Sequence, residues 1–268
     1  MHPVDPKLVA ALTGVVSRAG AAILAIARKP LAVREKADLS PVTAADVAAQ
    51  AVILEGLIEL LPGVPVVSEE LAGPQPAIRP GASFVLVDPL DGTKEFIARR
   101  EEYTVNLALI DAGQPALGFV FLPARALLYR GCTGLFAERL RLDAGMPAEA
   151  ARDITPIRAR PAPASLVAAV SRSHLDPASE AFLARLPIAE RIATGSSLKL
   201  TLLAEGAADV YPRLAPTHEW DIAAGHAVLA AAGGIVLRPD GAALTYGNGE
   251  TGFLVPGFVA WGDPRAQR

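Results

Sequence analysis

Apolar residues recur every three to four positions over two stretches near the start of the chain, and this spacing predicts two long helices. The first covers residues 6–27. The second follows Thr43, a residue that can cap a helix N-terminus, and extends to about Leu61. Asp46 lies three residues after Thr43, as the acid of a capping box does. Two interpretations of Asp46 stay open: it serves the cap alone, or it also belongs to a functional site.

Shorter apolar runs bounded by turn residues predict strands in the first half of the chain. Residues 64–68 form one run, and residues 84–87 form another that stops just before Asp88-Pro89. Proline cannot donate to a sheet ladder, so we expect the chain to turn there. Three further runs lie at residues 103–110, 116–122 and 127–129. Their short connections indicate an antiparallel meander.

Strands alternate with helices in the second half. Residues 166–170 and 208–211 are apolar runs typical of strands. Residues 177–186, and the alanine-rich stretch from Asp221 to the glycine pair at residues 233–234, are typical of helices. This alternation predicts an α/β arrangement.

A boundary between two subdomains is expected near residue 160. Residues 131–163 carry scattered arginines, acids and prolines, and the end of this segment has the composition of a linker. The N-terminal subdomain, residues 1–160, is then α+β, and the C-terminal subdomain, residues 161–268, is α/β. A chain of 268 residues that is 51% hydrophobic is large enough for two such subdomains that share an interface.

Charge and cysteine content exclude several classes of protein. The net charge is −3 and no basic stripe is visible, so polymeric nucleic acid is not an expected partner, whereas a small phosphate ester is compatible if metal ions supply positive charge. Cys132 is the only cysteine, which excludes an intramolecular disulfide and suits a reducing cytoplasm. We find neither a signal peptide nor a run of about 18 apolar residues, and expect no transmembrane segment. Oligomeric state and association with a membrane surface stay open.

Two carboxylates follow the strand at residues 84–87, and they suggest a metal site. The expected turn at Pro89 brings Asp88 and Asp91 together, where they repel each other unless a cation compensates. Gly92 and Thr93 come next and open a short predicted helix, whose free amides favour an anion such as phosphate. Metal and phosphate would therefore be neighbours.

Further oxygen ligands are placed at the ends of other elements. Glu69 and Glu70 follow the strand at residues 64–68, and Asp221 lies at a helix start; the Leu90 carbonyl is a fourth candidate. An exposed acidic loop and a favourable charge at a helix N-terminus are the alternative interpretations. A set of oxygens without neighbouring histidine or cysteine favours Mg²⁺, then Mn²⁺, and more than one ion. The chemistry that remains is metal-assisted attack of water on a phosphate ester.

The same residues resemble two signatures of a known enzyme family. Asp88-Pro-Leu-Asp-Gly-Thr93, preceded by Glu69-Glu70 and followed by Trp220-Asp-Ile-Ala-Ala-Gly225, resembles the lithium-sensitive, Mg²⁺-dependent phosphatases of the inositol monophosphatase superfamily. Within it, other segments resemble the CysQ-type 3′(2′),5′-bisphosphate nucleotidases: Lys36-Ala-Asp, Ser40-Pro-Val-Thr-Ala-Ala-Asp46, Lys94-Glu-Phe, Ser171-Arg-Ser-His174, Gly195-Ser-Ser-Leu-Lys199 and Tyr211-Pro-Arg213.

The resemblance implies a fold and an activity. The fold would be the layered αβαβα sugar-phosphatase sandwich, with the site between the two halves. The activity would be hydrolysis of adenosine 3′,5′-bisphosphate, a by-product of sulfate assimilation and sulfonation, to AMP and phosphate. An inositol or sugar monophosphatase on the same scaffold is the nearest alternative. The family often has asparagine where Ala98 stands and Asn-Pro where Val255-Pro256 stands, which affects substrate detail more than chemistry.

The resemblance also implies a role for each site residue. The first Mg²⁺ would be held by Glu69, Asp88 and the Leu90 carbonyl, the second by Asp88, Asp91 and Asp221, and a third, weaker ion would lie near Glu69 and Asp46. Thr93, with Glu70 or Asp46 behind it, would orient and deprotonate the attacking water. The Gly92 and Thr93 amides would hold the transferred phosphate. The nucleotide and its 5′-phosphate would be contacted by His174, Ser196, Lys199 and Arg213.

Overall fold

Two long helices form the outer layer of the fold in the computed structural model, which describes residues 5–28, 33–35, 41–71, 78–79, 81–172 and 175–267. Helix α1 (Pro6–Ala27) starts with Pro6 at its first position, and the Asp5 side chain caps it by accepting the Leu8 amide at 2.7 Å. Helix α2 (Ala44–Leu60) begins with a capping box between Thr43 and Asp46. Both predicted helices and the predicted cap are confirmed.

Helix α1 is long and apolar enough, by length and composition, to cross a membrane. More than half of that stretch is buried inside the protein, where Leu12, Val15 and Val16 pack into one hydrophobic core with residues of α2 and of the neighbouring sheet. Burial of this kind is also what the core helix of a layered fold shows.

A seven-stranded sheet covers the inner face of the helix pair. Its strands are β3 (Val66–Ser68), β4 (Phe84–Asp91), β5 (Thr104–Asp111), β6 (Gln114–Leu122), β7 (Leu127–Cys132), β8 (Phe136–Arg141) and β9 (Arg152–Pro156), in that order, after a small hairpin of β1 (Val33–Glu35) and β2 (Pro41–Thr43). Strands β3 and β4 are parallel and all other neighbours are antiparallel, so the predicted meander is confirmed.

A five-stranded sheet lies in the second half of the chain. Its order is β11 (Ile188–Thr194), β10 (Leu166–Ser171), β12 (Val210–Arg213), β16 (Phe258–Trp261) and β14 (Ile235–Leu237). The other elements are helices α3 (Thr93–Ile97), α4 (Pro177–Leu183), α5 (Leu198–Ala204) and α6 (Glu219–Ala231), and a two-stranded pair of β13 (Thr217–His218) and β15 (Leu254–Val255).

Three hydrophobic cores separate the layers. One joins α1 and α2 to one face of the large sheet, and a second joins the opposite face of that sheet to α5, α6 and the small sheet. The third lies on the outer face of the small sheet, where Phe182 and Leu183 of α4 pack. The layers therefore follow the order helices, sheet, helices, sheet, helix, and the expected αβαβα arrangement is confirmed.

Several segments differ from the sequence-based expectation. Strands β8 and β9 lie in residues 131–163, where no strand was predicted, and strands β11, β14 and β16 were not predicted either. Every residue of β9 is exposed and β11 is largely exposed, because β9 and β11 are edge strands that bury little side-chain surface. Strands of this kind lack the apolar run by which strands are predicted. Arg213 is the last residue of β12 and does not follow it.

Candidate active site

Strand β4 carries the first two predicted metal ligands, and it passes through Pro89 without ending. Asp88 pairs with Asn106 on β5 and Asp91 pairs with Thr104, so β4 has one more residue than β5 between these pairs. The predicted turn at Pro89 is therefore wrong. Proline cannot donate to the sheet ladder, and a β-bulge accommodates it within the strand. The Asp88 carboxylate accepts the Leu90 amide at 3.0 Å, which fixes this irregular backbone.

Carboxylates from three elements meet at this bulge. Glu69, Asp88 and Asp221 each offer an oxygen, and these oxygens lie within 4.8 Å of one another. Glu69 follows β3, and Asp221 lies in the first turn of α6. The structure thus brings together residues that are far apart in the chain, in a group whose donor chemistry suits a hard divalent cation.

Asp88 shows why this group needs positive charge. Burial raises the pKa of Asp88 well above its usual range, and the nearby Glu69, Asp91, Asp221 and Asp46 raise it further. A single buried carboxylate surrounded by four others is costly to ionise unless a cation is bound. The residues present therefore fit divalent metal ions, with Asp88 at the centre.

Asp46 and Asp221 each divide their two carboxylate oxygens between the fold and the site. Asp46 Oδ2 accepts the Thr43 amide and hydroxyl, both at 2.7 Å, while Oδ1 accepts the Thr93 hydroxyl at 3.2 Å. Asp221 Oδ2 accepts the Thr217 hydroxyl and, at 3.1 Å, the His218 amide. Helix caps thus fix the side-chain orientation of both acids, and the cap interpretation of Asp46 is confirmed without excluding a second role.

Burial sets the protonation behaviour of these two acids. It raises the pKa of Asp46 above its usual range, although hydrogen bonds from Thr43 and Thr93 partly offset the effect. The pKa of Asp221 is also raised, first by burial and then by the charge of Asp91. A carboxylate with a raised pKa is a better proton acceptor near neutral pH than an exposed one.

Asp91 lies in a group of polar side chains that joins the two halves of the chain. Its Oδ2 accepts the hydroxyls of Ser196 at 2.6 Å and Ser197 at 2.7 Å, and the Asn106 amide at 3.3 Å. Sequence reasoning missed Asn106 and Ser197. For Asn106 the available signal was a single amide within the apolar run at residues 103–110.

Three basic residues, Lys94, Lys199 and Arg213, line the same cleft as the carboxylates, and the cleft has a volume of about 210 Å³. Lys199 is buried, donates to the Ser196 carbonyl and lies 5.3 Å from the centre of the Tyr211 ring. Burial lowers the pKa of Lys199 to about 8. Arg213 donates to the Pro216 carbonyl at 3.3 Å, while its buried Nε has no partner among the described residues.

The predicted residues are distributed as follows. The cleft is lined by Glu69, Asp88, Leu90, Asp91, Gly92, Thr93, Ser196, Lys199, Arg213 and Asp221. Asp46 reaches it through Thr93. Glu70 lies beside Glu69, is partly buried and is not among the lining residues. His174 lies outside the described residues, as do residues 36–40 of the motifs quoted above.

Two glycines allow close contacts at the cleft, one within the first half of the chain and one between the two halves. Gly92 has φ 90°, a conformation that favours glycine, and a Cβ there would lie 3.2 Å from the Glu102 carbonyl oxygen. A Cβ on Gly195 would lie 3.1 Å from Glu95 Cγ. The Glu102 carboxylate accepts the Gly195 amide at 3.0 Å and pairs with Arg172, so it ties the second half of the chain to the first.

Comparison with known proteins gives one consistent picture. Residues 5–257 match the inositol monophosphatase family. The chain is 46% identical over 242 residues to the 3′(2′),5′-bisphosphate nucleotidase CysQ of Escherichia coli K12, which covers 90% of this chain and 94% of that protein. The crystal structure of CysQ from Bacteroides thetaiotaomicron superposes with a TM-score of 0.81 at 35% identity and covers 97% of this chain and 98% of that one. Inositol monophosphatase from Anabaena sp. PCC 7120 shares the fold, with a TM-score of 0.72 at 24% identity over 94% of this chain and 89% of that one.

Proposed function

The chain belongs to the inositol monophosphatase family, and we propose that it is a Mg²⁺-dependent 3′(2′),5′-bisphosphate nucleotidase. It removes the 3′-phosphate of adenosine 3′,5′-bisphosphate and releases AMP and phosphate. The observation that carries this proposal is one cleft lined by a cluster of carboxylates together with basic residues, among them Arg213 and the buried Lys199. A substrate with two phosphates needs cations besides the metal ions, and these side chains supply them.

The carboxylates support two or three Mg²⁺ ions, with Mn²⁺ as a substitute. Glu69, Asp88 and the Leu90 carbonyl would hold the first ion, and Asp88, Asp91 and Asp221 the second. A third, weaker ion would lie near Glu69 and Asp46. Bound Mg²⁺ supplies positive charge to the phosphate ester and lowers the pKa of water.

Thr93 and Asp46 form the general-base pair in this proposal. The Thr93 hydroxyl donates to Asp46 Oδ1, or to the Leu90 carbonyl at the same distance of 3.2 Å, and can accept a hydrogen bond from the attacking water. As water attacks phosphorus, the bond from phosphorus to the 3′-oxygen breaks, the water proton passes to Thr93 Oγ1 and the Thr93 proton passes to Asp46. The leaving 3′-oxygen takes a proton from solvent and becomes the 3′-hydroxyl of AMP. The raised pKa of Asp46 favours this transfer. Glu70 is the alternative base, and substitution of Asp46 or of Glu70 distinguishes the two assignments.

The remaining residues orient the substrate. The amides of Gly92 and Thr93 hold the transferred phosphate at the start of α3, where no side chain caps the helix. Lys199, Arg213, Ser196 and His174 bind the nucleotide and its 5′-phosphate. Ser196 has φ 50°, and its hydroxyl contacts Asp91 Oδ2 and, at 2.6 Å, Thr104, so a contact with substrate would compete with these bonds.

Phosphate release from two substrates tests the proposal. With Mg²⁺ present, we expect faster release from adenosine 3′,5′-bisphosphate than from inositol 1-phosphate, and inhibition by Li⁺ as the family resemblance implies. Turnover of inositol 1-phosphate alone would support an inositol or sugar monophosphatase. Binding of either ligand without release, unchanged in Asp91→Asn, would indicate a protein that binds nucleotides and has no catalytic activity.

We also propose a cytoplasmic location for this protein. Cys132 is buried, and the pKa of its thiol is raised by that burial, so it is not a reactive thiol. A reducing cytoplasm, with sulfur metabolism as the source of the substrate, is consistent with this.

A further inference from the structure

Ser197 lies at the point where three segments of the site meet. It directly precedes α5 and is 5% exposed. Its hydroxyl oxygen lies 2.7 Å from Asp91 Oδ2 on β4 and 2.7 Å from the backbone oxygen of Asp221 on α6. The same oxygen lies 2.7 Å from the side-chain nitrogen of Asn106 on β5. One hydroxyl therefore contacts elements that carry two of the proposed metal ligands.

Asn106 determines the direction of the Ser197 hydroxyl. An amide nitrogen only donates, so Ser197 Oγ accepts from Asn106 and directs its single hydrogen to Asp91 or to the Asp221 carbonyl. The same nitrogen also donates to Asp91 Oδ2 at 3.3 Å. Asn106 is 1% exposed, and its Oδ1 has no partner among the described residues. A buried amide with an unpaired acceptor is a poor choice for stability alone.

Repulsion between Asp91 and Asp221 explains why a connection through the Ser197 hydroxyl is useful. Asp91 and Asp221 line the same cleft, and Ser197 Oγ lies 2.7 Å both from Asp91 Oδ2 and from the Asp221 backbone oxygen, so the two acids are neighbours. Asp221 is already fixed on one side by Thr217 and His218. Asp91 has no helix cap; its Oδ2 accepts hydrogen bonds from Ser196 and Asn106 and lies 2.7 Å from Ser197 Oγ, which can also donate to it.

We propose that Ser197 and Asn106 are positioning residues that hold Asp91 against the first turn of α6, so that Asp91 and Asp221 can bind the same metal ion. This inference rests on the proposed function, because it concerns the second Mg²⁺ of that site. In the part of the chain that the structure describes, no hydrogen bond joins Ser197 or Asn106 to Glu69 or Leu90, which are proposed to bind the first ion. Loss of Ser197 should therefore weaken one metal site more than the other.

Calorimetric titration with Mn²⁺ alone, without substrate, tests the proposal. We expect wild type to bind at least two ions and Ser197→Ala to bind one of these two about 10- to 100-fold less tightly, with the other little changed, the loss typical for residues that orient metal ligands. Thr201→Ala is the matched control, since Thr201 is a buried hydroxyl on the same helix that donates only to the Leu198 carbonyl. Unchanged Mn²⁺ binding by Ser197→Ala, or an equal loss in Thr201→Ala, would overturn the proposal.

A double-mutant cycle provides the second test. If Asn106 acts through Ser197, then Asn106→Ala combined with Ser197→Ala weakens Mn²⁺ binding no more than the stronger single variant does. Strict additivity of the two losses contradicts a shared role. If Asn106→Ala does not fold, the comparison of Ser197→Ala with Thr201→Ala decides. A wild-type protein that binds no Mn²⁺ would contradict the proposed function itself, which separates that failure from failure of the inference.

Discussion

The Thr93 hydroxyl donates to Asp46 Oδ1 across 3.2 Å, although the two residues are 47 positions apart and belong to different helices. The other oxygen of Asp46 closes the capping box of α2. One carboxylate thus fixes the start of a helix and faces the residue proposed to hold the attacking water. A capping box is usually a local feature, whereas here it fixes the rotamer of a proposed base.

Asp46→Asn should lower kcat by about 10²- to 10⁴-fold, the usual contribution of a general base. Asparagine can still accept hydrogen bonds from Thr43, so Tm should change little and KM for the bisphosphate should stay close to that of wild type. Steady-state kinetics at saturating Mg²⁺ and thermal unfolding measure both effects. Glu70→Gln is the comparison. A large loss of kcat in Glu70→Gln with an active Asp46→Asn would assign the base to Glu70.

Asp88→Asn should stabilise the metal-free protein and should weaken its stabilisation by Mg²⁺. In metal-free protein, the raised pKa of Asp88 means that stability is greatest below its unfolded pKa and is lost as pH rises through the folded pKa. At neutral pH in EDTA, the variant should therefore be more stable than wild type. Mg²⁺ at 100 times its Kd should stabilise wild type by about 2.7 kcal/mol and the variant much less. Thermal unfolding with EDTA and with Mg²⁺ checks this, and a variant less stable than wild type in EDTA would contradict it.

The helices and most strands of the large sheet could be predicted because their apolar periodicity reflects the layers that they contact, whereas the buried strand β16 was missed. Edge strands β9 and β11 contact little, so their sequences carry no comparable pattern. His226 is buried on α6, and its ring nitrogen Nδ1 lies 2.8 Å from the Tyr246 hydroxyl oxygen.

The site was predictable only as far as its residues form motifs. Asp88 and Asp91 lie in one short segment, but the bulge that places them depends on the pairing with β5, which local sequence does not specify. Asn106 and Ser197 were missed because the hydrogen bond between them joins residues 91 positions apart, and the one between Ser197 and Asp91 joins residues 106 positions apart. Contacts between residues so far apart in the sequence can be identified only once the fold is known.

Gly118→Ala should destabilise the protein and reduce activity. A Cβ at Gly118 on β6 would lie 2.4 Å from the Ala224 carbonyl oxygen and 2.7 Å from Ala227 Cβ, so α6, which carries Asp221, must move. Overpacking of this kind costs about 1–3 kcal/mol. Gly14→Ala is the control, because a Cβ there meets only Arg18 at 3.4 Å and alanine favours a helix. Equal Tm and kcat/KM for Gly118→Ala and wild type would contradict the close contact between helix and sheet.

His226 should make the protein less stable in mild acid. Burial lowers its pKa to about 3, below the ordinary unfolded value, so its contribution is fully present above the unfolded pKa and is lost as pH falls. Between pH 7.5 and 5.5 the loss should be about 1.4 kcal/mol. Urea unfolding at both pH values in EDTA measures it, and His226→Gln should lack this part of the pH dependence. Identical pH dependence in both proteins would show that His226 does not titrate in this way.

We expect the deprotonation of Lys199 to slow the reaction at high pH, but only with a substrate that carries a second phosphate. Because burial lowers the pKa of Lys199 to about 8, the ammonium loses its proton above that pH and can no longer pair with a phosphate.

Lys199→Arg keeps its charge throughout this range, since the pKa of arginine is above about 12. The ratio of kcat/KM for wild type to that for Lys199→Arg, measured with adenosine 3′,5′-bisphosphate, should fall by up to about tenfold per pH unit above pH 8. With inositol 1-phosphate, which lacks a second phosphate, the ratio should stay flat. A flat ratio for both substrates would remove Lys199 from recognition of the 5′-phosphate and would leave Arg213 as the cation that contacts it.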